Sequence, residues 1–349
     1  PAAVPHTPQP SQPAAVARVV VQHAGAVRSV AFSPNGARLI TGSDDGSARI
    51  WHAGTGELLL SFEHEAHICS VAINPDGARL ATAGSDCTAH VWNTTTGAHL
   101  WGFYHSKPVN AVAWAADGVR LATASTDGTA RIWDTTTGTL LVTMNHSSPV
   151  LAVAWTADGA RLATGSADRT ARIWNARSGA EVGSLLHARA VSAVAFSRDG
   201  SGLLTGCADA SAHIWLTATG GELLRATVDG WLNEMTCVGF SPDGARLALG
   251  SLGAVQIRDA FTFQELLAFG AHGASAAKPV GLGPPAGQRA SGAAKTTVWD
   301  NSTGVQRLSV RHKGGMLSFV NSVAFSPDGT RLATGGDDNV AVVWSLTGV

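Results

Sequence analysis

Residues 150–174 read VLAVAWTADGARLATGSADRTARIW, and the rest of the chain consists of copies of this stretch, worn copies of it, or connectors between them. It holds three apolar runs, VLAVAW, ARLATGS and TARIW, separated by two turn signals. Such runs, rich in Val, Ile, Leu and Thr, are strand-sized and too short for globular helices. The turn TADG has equivalents in SPNG at Ser33, NPDG at Asn74, SPDG at Ser241 and SPDG at Ser326. Pro presets φ at the second position of such a turn, Asp or Asn tolerates the third, and Gly closes it. In sister copies the second turn is Asp45-Gly46 or Asp127-Gly128, a strong hairpin signal. Small alanines among larger apolar groups leave neither strand face polar, which predicts sheets covered by sheets on both sides.

Four registers run outward from this stretch at one interval of 41 positions. They are His23, His64, His105, His146 and His187; Thr41, Thr82, Thr123, Thr164 and Thr205; Asp45, Asp86, Asp127, Asp168 and Asp209; and Trp51, Trp92, Trp133, Trp174 and Trp215. That period is the size of a propeller blade. A third turn, TTTG at Thr94 and Thr135, leads into a fourth strand such as ELLLSF at 57–62, so each unit supplies four strands. No segment has a helical pattern, and the expected fold is all-β.

After Trp215 the pattern wears down. The copy restarting at Met235 has Arg258 in place of Trp, followed by Asp259, and the next copy, 278–300, keeps Trp299 and Asp300 and little else. The last copy recovers with Thr334, Asp338 and Trp344. Third strands therefore end at eight places, with seven fourth strands between them. The apolar run 16–22 has no partner beside it in sequence. It is expected to complete the last blade and close the ring, removing sheet edges that invite aggregation. The expectation is an eight-bladed β-propeller of four-stranded antiparallel blades over 16–349. Seven blades is the alternative, should the two worn copies form one, but the 65 residues from Met235 to Trp299 fit one blade poorly.

Residues 1–15 form a Pro/Ala-rich linker or tail, expected to join this domain to something upstream. Of the 349 residues 45% are hydrophobic and 14% charged, ample material for a large core. The net charge of −1 and the lack of any Lys/Arg run argue against a general nucleic-acid binder. No apolar run reaches the roughly 18 residues of a membrane span, and no leader pattern is present, so no membrane partner is expected. Cys69, Cys87, Cys207 and Cys237 form no close pair and no metal-like spacing, which fits a cytoplasmic or other reducing compartment.

The pattern His…SPDG…L-(A/V)-(T/S)-(G/A)-S-x-D-G-(T/S)-x-R-(I/V)-W resembles the WD-repeat family over residues 16–349. There are departures. The Gly that usually precedes the His is replaced by Gln22, Glu63, Tyr104, Asn145 and Leu186, and the Asp naming the motif stands only at Asp134, Asp259 and Asp300. His52, Asn93, Asn175, Leu216 and Ser345 occupy that place elsewhere. The resemblance implies that each His, Thr, Asp and Trp set forms a hydrogen-bonded chain inside one blade. The chemistry agrees: a buried Trp N–H needs an acceptor, a hydroxyl can accept and donate onward, and His can pass the chain to a carboxylate.

A Thr–His–Asp set would also suit nucleophilic catalysis. Catalysis, however, needs one such set in a cleft beside an oxyanion hole, not five, each locked to a Trp. A structural role is expected, and no enzyme. The register histidines fall on different blades and are not expected to converge on an ion, and His64 and His67 have no carboxylate or Cys placed with them, so no metal and no cofactor are expected.

The resemblance further implies that partners meet the face formed by loops entering the first strand and by the second-to-third-strand turns. Two columns map there: Arg28, Cys69, Asn110, Leu151, Ser192, Thr236 and Asn321, and Asp44, Ser85, Thr126, Ala167, Ala208 and Asp337. They differ from copy to copy where the rest is nearly identical, as positions free of packing duty would. Asp44 and Asp337 should become neighbours on ring closure, giving an acidic sector beside a small apolar one at Leu151, Ala167 and Ala208. A protein or peptide with a basic and an apolar anchor would suit it. The Arg column (Arg38, Arg79, Arg120, Arg161, Arg246, Arg331) is expected to be a solvated edge covering apolar surface. The expected function is a non-catalytic protein–protein interaction scaffold within a larger protein or assembly, with no small-molecule substrate. The alternatives are the regulatory or sensing domain of a multidomain signalling ATPase or kinase, and a small-ligand or sugar-binding propeller.

Overall fold

The computed structural model describes residues 17–227, the strands between 232 and 310, and residues 320–345 apart from 329; the tail 1–15 lies outside them. No helix occurs among the described residues. The stretch quoted above folds as the strands Val150–Trp155, Arg161–Ser166 and Thr170–Asn175. Glu181–Leu186 completes a four-stranded antiparallel sheet in sequence order. Its register sets Val153 against Thr164 and Leu162 against Trp174.

The turns form as their residues require. Gly36, Gly77, Gly118, Gly159 and Gly200 donate their N–H to the carbonyl three residues back at 2.7–3.0 Å. At the second turn Gly46 and Gly128 sit at φ 83° and 85°, the left-handed region that glycine tolerates. Arg169 and Ala210 are held there at φ 70° and 61° with side chains that oppose it. Arg169 is exposed, so Arg169→Gly is expected to stabilise by about 0.5–1 kcal/mol, strain relief exceeding the added unfolded-state entropy. Urea denaturation measures this, and a loss of stability would show that the turn carries no such strain.

The same meander recurs along the chain. The first strands of successive sheets are Val27–Phe32, Ile68–Ile73, Val109–Trp114, Val150–Trp155 and Val191–Phe196. Each worn copy also forms its own sheet of four, one running from Leu232–Phe240 to Glu265–Gly270 and one from Lys278–Leu282 to Gln306–Val310. The last sheet takes three strands from the end of the chain, Val320–Phe325, Arg331–Gly336 and Val340–Ser345. Its fourth place is filled by Ala17–Gln22, antiparallel to Val340–Ser345 with Val19 opposite Val343 and Gln22 opposite Val340. The unpartnered N-terminal run finds the mate its isolation in sequence called for.

First strands pack on one another in succession, and Val27–Phe32 packs on both Ile68–Ile73 and Val320–Phe325. The core lies between sheets. Ala81, Ala83, Ala89, Val91 and Phe103 of one sheet meet Val109, Val112, Leu121 and Trp133 of the next. Across the seam, Val19, Val21, Ala333, Ala341 and Val343 meet Val27, Val30, Phe32, Leu39 and Trp51. The approach is close: a Cβ on Gly335 would lie 2.6 Å from Val27 Cγ1. Only Gly or Ala fits that column, which holds Gly42, Ala83, Ala124, Gly165, Gly206 and Gly335.

The Arg column is not a solvated edge. Arg38 donates to the Thr94 carbonyl at 2.7 Å, Arg79 to Thr135 Oγ1 at 2.7 Å and Arg161 to Thr217 Oγ1 at 3.0 Å, each in the third turn of the next sheet. Arg331 reaches the Gly36 carbonyl at 2.6 Å across the seam. Arg120, Arg161 and Arg331 also lie over Trp155, Phe196 and Phe32 at 5.0–6.0 Å. The column covers apolar rings as expected, but it also ties sheet to sheet. Arg246 falls where no side chain is described.

Candidate functional site

In the third sheet Trp133 Nε1 donates to Thr123 Oγ1 at 3.0 Å, Thr123 meets His105 Nε2 at 2.8 Å, and His105 Nδ1 meets Asp127 Oδ2 at 2.9 Å. The sets His23–Thr41–Asp45–Trp51, His64–Thr82–Asp86–Trp92 and His146–Thr164–Asp168–Trp174 repeat this at 2.7–3.0 Å. A carboxylate only accepts, so Nδ1 carries the proton, Nε2 takes the Thr proton, and the Thr oxygen receives the Trp N–H. The five threonines are fully buried, so their hydroxyls are consumed inside the sheets and face no substrate.

A further member completes each set. The hydroxyls of Ser47, Thr88, Thr129, Thr170 and Ser211 each donate to Oδ1 of the Asp two residues before. Ser or Thr at that spacing in five copies was the signal available in the sequence. Asp45, Asp86, Asp127 and Asp168 also accept the backbone N–H of Ala24, Glu65, Ser106 and Ser147 at 2.8–3.2 Å, pinning the loop that enters the first strand.

The fifth set departs from the expectation. Trp215, Thr205 and His187 are joined at 3.0 and 2.8 Å, but His187 Nδ1 donates to the Leu185 carbonyl at 3.0 Å, and Asp209 holds Ser211. The neighbouring residue differs as well. Arg49, Arg131 and Arg172 lie over the Trp of their sheets at 5.8–6.0 Å. In the fifth sheet His213 takes that place, edge-on to His187 at 5.0 Å between ring centroids.

Burial keeps the imidazoles of His23, His64, His105 and His146 below their ordinary value despite the carboxylate beside each. Burial and the nearby His213 push His187 down to about 4. Burial would raise Asp168, but hydrogen bonds from Thr170 and His146 outweigh it and hold it at about 2. Below about pH 6.5 the unfolded histidines bind protons that the folded ones refuse, so stability present above that pH falls as the medium approaches pH 4. The aspartates remove more between about pH 4 and 2, where only the unfolded carboxylates protonate. Thermal melts from neutral to pH 4 are expected to show a steadily falling Tm; a Tm that rises on acidification would contradict buried neutral imidazoles.

The two variable columns lie at the ends of the inner strands and the turns beside them. Asn321 is buried, and Arg28, Asp44, Cys69, Ser85, Asn110, Thr126, Leu151, Ala167, Ser192, Ala208 and Asp337 are half-buried; Thr236 has no described side chain. Asp44 and Asp337 do come to one place, but around a guanidinium. Arg28 Nε donates to Asp44 at 2.8 Å, and Nη1 lies 3.3 Å from Asp337 and 3.4 Å from Asn321 Oδ1. Asn321 Nδ2 donates to Asp337 at 2.6 Å. The expected acidic sector is thus a bridged seam between the first and last sheets. Asn110 joins Thr126 at 3.1 Å and the Val150 carbonyl of the next sheet at 2.8 Å, while Ser85 and Ser192 donate to the His67 and Gly206 carbonyls. His67 does not join His64; its ring bonds the Asp44 carbonyl.

With this geometry in view, comparison with known families matches the WD domain, G-beta repeat (WD40), at residues 16–52, 56–93, 99–134, 138–175, 179–215 and 306–345. The chain belongs to the WD40 family. Among solved structures it is similar to the crystal structure of the computationally designed Ika8 protein, with a TM-score of 0.81 and 27% identity over 96% of this chain and 100% of that one. Among curated proteins, ribosome biogenesis protein erb1 of Aspergillus oryzae (strain ATCC 42149 / RIB 40) is 44% identical over 62 residues. That match spans 17% of this chain and 8% of the erb1 protein.

The WD40 departures have a physical basis. The side-chain oxygen after the Trp accepts N–H groups of the third turn: Asp134 from Thr136, Asn93 from Thr95 and Thr96, Asn175 from Arg177 and Ser178. An amide oxygen serves as well as a carboxylate there. Two WD40 sheets also bring three possible metal ligands together, His64 with Asp86 and His90, and the buried His187 with Cys207 and His213; the donor atoms of each set lie within 4.8 Å of one another. Neither group was legible from the register histidines alone, because His90 and His213 stand in the register of Arg49, Arg131 and Arg172.

Proposed function

We propose that the chain is an eight-bladed propeller serving as a rigid, non-catalytic platform for protein–protein interaction within a larger protein or assembly. The separate sheets of the two worn copies support eight blades over seven. One observation carries the functional reading: the Thr–His–Asp groups are spent on hydrogen bonds inside the sheets, while the positions that vary between copies gather at the ends of the inner strands. WD40 domains generally bind proteins and are usually non-catalytic, in keeping with it. The match to erb1 is longer than one repeat and shorter than two, a length at which repeats resemble one another, so it brings no role in ribosome biogenesis here.

The partner proposed is a protein or peptide that sets an apolar anchor on Leu151, Ala167 and Ala208 and polar groups on Asn110 and Thr126. The bridged Arg28 seam offers it paired charge, not free acid. Neither nucleic acid, membrane nor small-molecule substrate is part of this reading. A reducing compartment is proposed from the thiols of Cys87 and Cys207, which are in no disulfide.

The test compares the protein with its Leu151→Glu/Ala167→Glu variant in cross-linking capture from the native source. Both positions are half-buried at the surface, so the variant is expected to keep its Tm and lose a partner that the unaltered protein retains. Equal capture by both would remove this face from the proposal.

A further inference from the structure

The fifth sheet departs from its sisters at three places that meet. Cys207 stands where Ser43, Ser125 and Ser166 stand; His213 stands where Arg49, Arg131 and Arg172 stand; and His187 has left its Asp for the Leu185 carbonyl. All three are buried, at 0, 6 and 5% exposure respectively. We propose that His187, Cys207 and His213, whose donor atoms lie within 4.8 Å of one another, supply three protein ligands to a zinc-class divalent ion within the fifth sheet.

The hydrogen-bond partners of His213 suit a metal ligand. His213 Nδ1 lies 2.8 Å from Glu222 Oε1, and a carboxylate only accepts, so the neutral imidazole presents Nε2 as a lone pair. Ser211 Oγ lies 2.8 Å from that Nε2 and also against Asp209 Oδ1, one hydroxyl proton between two acceptors. A carboxylate behind the distal nitrogen of a histidine is the arrangement that orients zinc ligands, and Glu222 supplies it. Trp215 stacks on the His213 ring at 19° between planes and fixes its plane.

Two imidazoles and a thiolate are a zinc donor set. Burial pushes the Cys207 thiol up to about 12, so it holds its proton until an ion replaces it. Binding then forms the metal–sulfur bond and releases that proton to solvent. On binding, His187 Nδ1 gives up the Leu185 carbonyl and its proton passes to Nε2, which then donates to Thr205 Oγ1. The Thr205 hydrogen is directed to the His213 carbonyl, 3.5 Å away. In the second sheet His64, Asp86 and His90 form the corresponding group with Gly84 at the thiol position, a comparison without sulfur inside the same molecule.

The experiment uses the full chain produced in medium containing zinc(II) or cobalt(II), so that the ion is present while the sheet closes. Bound metal is measured by mass spectrometry after desalting, and the cobalt form by absorption. About one ion per chain is expected, with a thiolate-to-cobalt charge-transfer band and the intense visible bands of a four-coordinate ion. Cys207→Ser and His213→Arg install residues that sister sheets already carry, so both variants keep the fold. Each is expected to lower metal affinity by about tenfold or more, and Cys207→Ser to abolish the sulfur band. Retention of the band in Cys207→Ser would overturn the proposal. So would an ion without a sulfur band in the unaltered protein, which would point to the second-sheet group, and so would metal-free protein from loaded medium.

Discussion

Trp133→Ala is expected to lower stability by about 3–5 kcal/mol, the cost of truncating a buried aromatic. Trp133 is 7% exposed and stacks on Phe103 at 4.5 Å. It lies in the core between the second and third sheets with Val109, Val112 and Leu121. The Arg131 guanidinium lies over its ring at 6.0 Å. Alanine leaves a cavity there and removes the N–H that Thr123 accepts. Trp133→Phe separates the two effects: it keeps most of the packing and is expected to cost only about 1–2 kcal/mol for the lost hydrogen bond and residual volume. Urea denaturation of both variants reads the difference. A midpoint that barely moves in Trp133→Ala would sink the account of the buried sets.

Deletion of residues 1–22 is expected to be as damaging by a different route. It removes the strand Ala17–Gln22, strips Val340–Ser345 of one of its two partners, and takes Val19 and Val21 out of the seam core. A bare strand edge is a template for pairing with other chains. The truncated protein is expected to melt lower and to form aggregates that grow with concentration in light scattering. A monodisperse truncation of equal stability would refute closure by the N-terminal strand.

The parts of this molecule legible in the sequence are those that depend on neighbours within one unit. The SPDG and DG turns, the strand lengths and the four registers repeat because each sheet solves the same local problem. Repetition also exposed which Thr, His, Asp and Trp belong together, and four of the five sets formed as expected. What stayed hidden depends on which face one sheet presents to another. The acceptor of Arg38 lies 56 positions on, at Thr94, and no spacing rule within a unit points to it. Asp44 and Asp337 were placed together correctly, yet Arg28 between them belongs to the same seam and cancels the acidic surface their sum suggested. His187 holds its register with Thr205, but its bond to the Leu185 carbonyl in place of Asp209 lies outside that register.

Ala17 sits opposite Trp344 in the strand pair that joins the first and last parts of the chain. The first described strand begins beside the place where the last one ends, at one end of one sheet. A short bridge would join them into an unbroken loop, and new ends could be opened at any of the surface turns without disturbing a single sheet, as happens in proteins that tolerate circular permutation. In mechanical terms, a pull on Ala17 and Trp344 falls first on that pair of strands, which acts as a latch.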